Sequence, residues 1–287
     1  MSSIKSLIPN LLTAGNLVGG ILAIIFSLTG RLEWAPYCIF ISAFLDFFDG
    51  FAARLLKVQS ELGKQLDSLA DMVTFGVAPG IVVYMMMKAS IFNSFVGKYL
   101  DYPGPYVNYT QSFLEMPNIV SSVSEFQTDL FYGIISYANA YIFLPYIAFI
   151  IPILSLFRLA KFNLDIRQSD SFIGLPTPAN TLFFVALPLM LFTPSIHENI
   201  AKLWFIEHFV LNFWLLAITT IFMSIMLVIE LPLFALKFKN FGWKGNEIRF
   251  TFLTISAILL ATLVFWAIPL IIILYLLLSI IQNIVKK

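Results

Sequence analysis

Between Asp46 and Asp71 the chain places four aspartates at helical spacing, Asp46-x2-Asp49 and Asp67-x3-Asp71, with Gly50, Ala53, Arg54 and Gly63 between the pairs. A carboxylate inside a bilayer helix costs roughly 2.5 to 3.5 kcal/mol on insertion scales, so four together call for cations, a water-filled cavity, or both. At about 100° per residue, Asp46, Asp49, Gly50 and Ala53 share about 100° of one helix face. On the next helix Gly63, Asp67, Ala70, Asp71, Thr74 and Ala78 occupy a similar arc. If the two helices pack antiparallel through these stripes, the acids converge beside a floor of small residues. Such an oxygen-rich cup suits two divalent cations, Mg2+ or Mn2+, which share their coordination with substrate phosphates. A diphosphate held in this way is prepared for in-line displacement at phosphorus. Arg54 borders the acidic face, where its guanidinium fork can hold a phosphate or brace a carboxylate. Asp71 lies a turn beyond Asp67, toward the membrane interior, and is the candidate base for an acceptor hydroxyl. Two other readings stand beside this one. The acids can be solvated and paired with Arg54, Lys57 and Lys64, or they can mark the ion path of a membrane transporter.

The elements that must position these residues are membrane helices. Of 287 residues, 60% are hydrophobic and 11% charged, and the mean hydropathy is +0.90, which excludes an ordinary soluble domain and a disordered chain. Apolar runs of spanning length fall near 11–29, 35–53, 69–88, 141–158, 180–196, 209–229, 250–265 and 267–283, about eight helices. Only Ala267-Ile268-Pro269 is expected to separate the last two. With the N-terminus on the cytoplasmic side, thirteen basic residues fall on that side and four (Arg31, Lys88, Lys98, Lys202) on the other, so both termini and the acidic cluster are expected to be cytoplasmic. The net charge of +1 says nothing about a partner, and no nucleic acid is expected. Cys38 is the single cysteine, so no intrachain disulfide can form. The N-terminal run, with Asn10, Thr13 and Asn16 and no small-residue cleavage site, reads as a retained first helix.

The fold class expected is an all-α integral membrane protein with two parts. Residues 1–230 form a catalytic transmembrane domain with an extramembrane insertion at about 89–140, broken by Pro103, Gly104, Pro105 and Pro117. Residues 231–287 add a basic cytoplasmic loop and an apolar hairpin that packs or anchors and does no chemistry.

The stretch as a whole resembles the signature of the CDP-alcohol phosphotransferases, matching the four aspartates and the Gly, Ala, Arg and Gly between them. Beyond the signature, IPNLLTAGN (8–16), DMVTFGVAPG (71–80), RLAKFN (158–163) and FIGLPTPAN (172–180) are similar to the phosphatidylserine synthase branch. The resemblance implies a six-helix core, usually dimeric, with a site open to the cytoplasm. It also implies that Asp46, Asp49, Asp67 and Asp71 hold two divalent metals, that Asp71 doubles as the base, and that Gly50, Ala53, Arg54 and Gly63 frame a cytidine nucleotide. The implied reaction carries the phosphatidyl group of CDP-diacylglycerol to the hydroxyl of L-serine and releases CMP. Glycerol 3-phosphate or inositol as acceptor is the alternative within the same chemistry. Membrane lipids would surround the chain, and a homodimer is the implied assembly.

Further candidates lie outside the signature. Asn10 and Thr13, after Pro9, form a polar edge that can touch cytosine or ribose, or can cap a helix. Arg158, Lys161 and Arg167 can bind a serine carboxylate or phosphates, or can snorkel at the membrane boundary. The Gly174-Leu175-Pro176-Thr177-Pro178 turn is expected to shape the pocket rim. His197 and His208 fall away from the acids, and Glu230 is expected at the interface.

Overall fold

Long apolar stretches bounded by glycine, proline and charge fold into helices throughout the computed structural model, which describes residues 2–99, 143–164, 172–192, 204–236, 242–243 and 245–285. The helices are α1 (Ser2–Leu28), α2 (Ala35–Leu55), α3 (Glu61–Asp71), α4 (Ala78–Tyr99), α5 (Ile150–Leu164), α6 (Thr177–Leu191), α7 (Phe213–Val228), α8 (Glu247–Leu263) and α9 (Ala267–Val285). A π-helical segment, Met72–Val77, joins α3 to α4, and a 3-10 turn, Leu144–Phe149, leads into α5. Within the described residues, each expected span overlaps one or more of these helical elements. Helix α4 continues to Tyr99, past about residue 89, where the extramembrane insertion is expected to begin. The rest of that segment, with Pro103, Gly104, Pro105 and Pro117, lies outside the described residues, as do His197, Lys202 and Lys237.

Among the described residues, four stretches are long and apolar enough to cross a membrane: Lys5–Leu28, Glu61–Ile91, Leu144–Leu164 and Glu247–Ile284. The protein is an all-α integral membrane protein. Its outer surface carries Leu11, Ile41, Phe44, Phe47, Phe157 and Trp214, each more than half exposed, as lipid-facing side chains should be. The interior is filled by Ile39, Phe75, Met86, Met87, Ile151 and Phe184.

Small residues let α1 approach its neighbours. A Cβ on Gly20 would stand 2.8 Å from the Thr74 Cα, and one on Gly19 would strike the Ser42 Oγ. Gly20 therefore needs glycine for backbone contact, while at Gly19 the close atom is a side-chain hydroxyl. The break between α8 and α9 falls at Val264–Trp266, where Val264 takes φ 51°, and not at Ala267-Ile268-Pro269. Pro269 sits in the first turn of α9, where its missing N–H leaves no helical bond unmade. The hairpin folds back on itself, with Phe252 and Tyr275 ring centroids 5.7 Å apart, and packs on α6. A two-residue antiparallel pair, Phe172–Ile173 with Pro232–Leu233, ties the α5–α6 connection to the end of α7. The Tyr275 Oη donates to the Phe234 carbonyl at 2.9 Å and the Asn283 amide to the Pro232 carbonyl at 2.7 Å, fastening α9 to the same point.

Candidate active site

The chain reverses between α2 and α3 within the five residues 56–60, and this short turn sets the two acidic stripes side by side. The end of α2 closes in a Schellman arrangement, with the Lys57 N–H donating to the Arg54 carbonyl at 3.2 Å and the Val58 N–H to the Ala53 carbonyl at 3.0 Å. Lys57 takes the left-handed φ of 55° that this motif requires. Ser60 then caps α3, its Oγ accepting the Gly63 N–H at 3.0 Å, and Glu61 follows in the first turn, where its charge suits the helix dipole.

Asp46, Asp49 and Asp67 each bring one carboxylate oxygen within 4.8 Å of the others. Asp71 lies one turn deeper along α3, against Asp46. Among the described residues, no cationic side chain forms an ion pair with any of the four; the pair found there joins Lys161 to Glu230. The reading of the acids as partners of Arg54, Lys57 and Lys64 therefore finds no ion pair. Three clustered, unpaired carboxylates are a donor set of hard oxygens, which fits Mg2+ or Mn2+.

Polar contacts to the acids come from α1. The Thr13 Oγ1 donates to the Asp49 Oδ2 at 2.6 Å, with the Pro9 carbonyl 3.1 Å away as an alternative acceptor. The Asn16 amide donates to the Asp71 Oδ1 at 3.1 Å and to the Asp46 Oδ1 at 3.4 Å. Since α1 begins at Ser2, Asn10 and Thr13 lie well inside it and cap nothing. Thr13 instead serves Asp49.

A cavity of about 500 Å³ opens beside Asp49 and Asp67. Asn10 and Thr13 line it from α1, Gly50, Ala53 and Arg54 from α2, and Gly63 from α3. The Arg54 guanidinium nitrogens lie 3.8 and 3.9 Å from where a Cβ on Gly50 would stand, so the fork arches over that glycine. The volume is that of a pocket for one small ligand headgroup.

The other candidate cations stand elsewhere. Arg158 is only 5% exposed, donates from Nε to the Leu175 carbonyl at 3.4 Å, and stacks over the Phe162 ring. The Lys161 Nζ is 2.6 Å from the Glu230 Oε1; both groups face solvent, so the pair adds little stability. Neither lines the cavity. Arg167 lies outside the described residues. The His208 Nδ1 is 2.9 Å from the Trp204 carbonyl, in its own turn.

Sequence reasoning gave no role to Asn16 or Ser60, and read Lys64 only as an ion-pair partner of the acids. Asn16 follows Thr13 by three residues and Asn10 by six, so the polar stripe on an otherwise apolar helix was its signal. Ser60 was legible as a cap before Glu61. Lys64 lines the cavity, yet its Nζ also reaches the Asn163 carbonyl at 3.1 Å, while the Asn163 amide donates to the Ser68 Oγ at 2.7 Å. These two bonds buttress α3 against α5.

Comparison with known proteins places this geometry in a family. Residues 6–99, which contain all four aspartates, match the family described as CDP-alcohol phosphatidyltransferase. The chain is 32% identical over 180 residues to the CDP-diacylglycerol–serine O-phosphatidyltransferase of Bacillus subtilis (strain 168), covering 63% of this chain and 74% of that protein. It is 30% identical over 186 residues to the Helicobacter pylori (strain J99) protein of the same name, covering 64% of this chain and 58% of that protein. A shorter match of 62 residues, 44% identical, links it to the Saccharomyces cerevisiae protein of that name, covering 21% of this chain and 22% of the other. With the acids convergent and the relatives aligned across most of the helical chain, the protein belongs to the CDP-alcohol phosphatidyltransferase family.

Proposed function

We propose that the protein transfers the phosphatidyl group of CDP-diacylglycerol to the hydroxyl of L-serine, giving phosphatidylserine and CMP. The observation that carries this reading is the convergence of three unpaired carboxylates within 4.8 Å beside a cavity of about 500 Å³, with a fourth one turn deeper. The names of the Bacillus and Helicobacter relatives support the choice of serine.

Asp46, Asp49 and Asp67, with Asp71 beside them, would hold two divalent cations, Mg2+ or Mn2+, whose charge would neutralise the diphosphate and favour departure of CMP. Asn10, Thr13, Asp49, Gly50, Ala53, Arg54 and Gly63 frame the cytidine nucleotide, and the Arg54 fork reaches a phosphate. Asp71 takes the proton of the serine hydroxyl as that oxygen attacks the lipid-side phosphorus; the phosphorus–oxygen bond to CMP breaks, and CMP leaves with the electron pair. The diacylglycerol tails stay among membrane lipids. Both termini and the cavity face the cytoplasm, which supplies free serine, and the working unit is a homodimer. Residues 1–230 carry the chemistry and the C-terminal hairpin anchors them.

Purified protein in detergent, given radiolabelled CDP-diacylglycerol, Mn2+ and serine, should form phosphatidylserine and CMP. Glycerol 3-phosphate and inositol, assayed in parallel, should give far less. Absence of CMP with every acceptor would overturn the reading and favour transport.

A further inference from the structure

We infer that Lys64 is a second cation for the nucleotide's diphosphate, standing on the α3 wall of the cavity while Arg54 stands on the α2 wall; the inference rests on the transferase reading above, which gives the diphosphate to this cavity. Among the described residues that line it, Arg54 and Lys64 are the cationic side chains, set against the carboxylates of Asp49, Glu61 and Asp67. Each phosphate of a diphosphate diester carries a negative charge, and a single guanidinium answers only one of them. Lys64 supplies the other.

The charge of Lys64 is not committed elsewhere. Lys64 precedes Asp67 by three residues on α3, a spacing at which opposite charges ordinarily pair. No ion pair joins them among the described residues; the Nζ donates instead to the Asn163 carbonyl on α5 at 3.1 Å. That carbonyl is neutral and takes one of the three N–H donors of the ammonium. Lys64 thus keeps its full charge, and two donors, at the edge of the cavity. A lysine placed to neutralise the aspartates would sit on Asp67. One placed only to fasten α3 to α5 would repeat what the Asn163 amide already does one turn along, where it donates to the Ser68 Oγ at 2.7 Å.

The surroundings suit an anion. Ser60 caps α3, so the cavity meets the first turn of that helix and the positive end of its dipole. Gly63, beside Lys64, keeps the wall open, since a Cβ there would stand 3.2 Å from the Ser60 Oγ and 4.0 Å from the Asn10 Oδ1. Glu61 opposes an anion from the same turn, but it is exposed, where water and salt screen its charge. The two cations divide the work by shape. The Arg54 fork grips oxygens in pairs, and the compact ammonium on its flexible stem acts as a point charge.

The test is calorimetric titration of the purified full chain in detergent with CDP, Mn2+ being present throughout, together with the serine KM in the CDP-diacylglycerol assay. Lys64 is exposed, so its replacement leaves the packed interior untouched. Lys64→Gln should weaken CDP binding by about tenfold or more, while Lys64→Arg, which keeps the charge, stays within about threefold of wild type. The serine KM should stay within about threefold in both. Ser68→Ala breaks the neighbouring link between α3 and α5 without touching the charge; it should lower Tm and leave CDP affinity within about threefold. CDP affinity in Lys64→Gln within about threefold of wild type overturns the inference, and so does an equal loss in Ser68→Ala, which would make the role of Lys64 purely structural. A raised serine KM with CDP affinity kept also overturns it, and gives the lysine to a carboxylate. Wild-type protein that binds CDP but releases no CMP with any acceptor overturns the transferase reading and leaves the CDP comparison to decide on Lys64; wild-type protein that binds no CDP overturns both.

Discussion

The fourth aspartate lies one turn beyond Asp67, against Asp46, and the proposed mechanism gives it separate work as the base. Asp46, Asp49 and Asp67 reach one another, while Asp71 sits a turn below with one oxygen committed to Asn16. Replacing Asp71 by asparagine keeps the volume and the hydrogen bonding but removes the proton acceptor. Asp71→Asn is expected to lower kcat by about 10²- to 10⁴-fold, the usual share of a general base, with CDP nucleotide affinity nearly unchanged in calorimetry. Activity within a few-fold of wild type would remove Asp71 as the base. Thr13 acts on Asp49 through a 2.6 Å bond in a buried setting. Thr13→Val should weaken Mn2+ binding by about tenfold, because a hydrogen bond to a charged group contributes roughly 1.5 to 3 kcal/mol. Unchanged Mn2+ affinity would show that the bond does not shape the site.

At the scale of elements, the geometry depends on a five-residue reversal between α2 and α3 and on close contact of α1 with the π-helical segment. Lys57 holds a left-handed conformation that a side chain disfavours. Lys57→Gly should therefore stabilise the protein by about 1 kcal/mol, seen as a raised Tm in detergent with kcat unchanged. Gly20→Ala acts in the opposite sense, because its Cβ would press on the Thr74 Cα at 2.8 Å. Overpacking of this kind costs about 1 to 3 kcal/mol, and displacement of the segment after Asp71 should lower Tm and kcat together. The spans and the two acidic stripes were legible in the sequence because apolar length and helical period are local properties. The π-helical turn was not, since a stripe drawn at a uniform period cannot register an inserted residue, and Thr74 turns to the Asn16 carbonyl as a result. Nor was the break at Val264, because the eye goes to Pro269, which a first helical turn accommodates. Arg158 and Lys161 carried charge at a plausible place, yet their partners, Leu175 and Glu230, lie far along the chain, and only the fold brings them together.

For the whole molecule, the charge asymmetry and the cavity position make a topological claim. In a Cys38→Ser background, Gln59→Cys beside the cavity should react with a membrane-impermeant maleimide only from the cytoplasmic face, and Arg31→Cys only from the opposite face. Labelling of both from one side would contradict the expected sidedness. The central claim is that neighbouring membrane helices pool their carboxylates to hold shared ions for a diphosphate. The most direct check is a Mn2+ titration of the purified protein by electron paramagnetic resonance in the presence of a CDP nucleotide, for wild type and for Asp46→Asn, Asp49→Asn and Asp67→Asn. The account expects two Mn2+ per chain in wild type and loss of tight binding in each variant; binding that survives all three replacements in a protein that still turns over would contradict it.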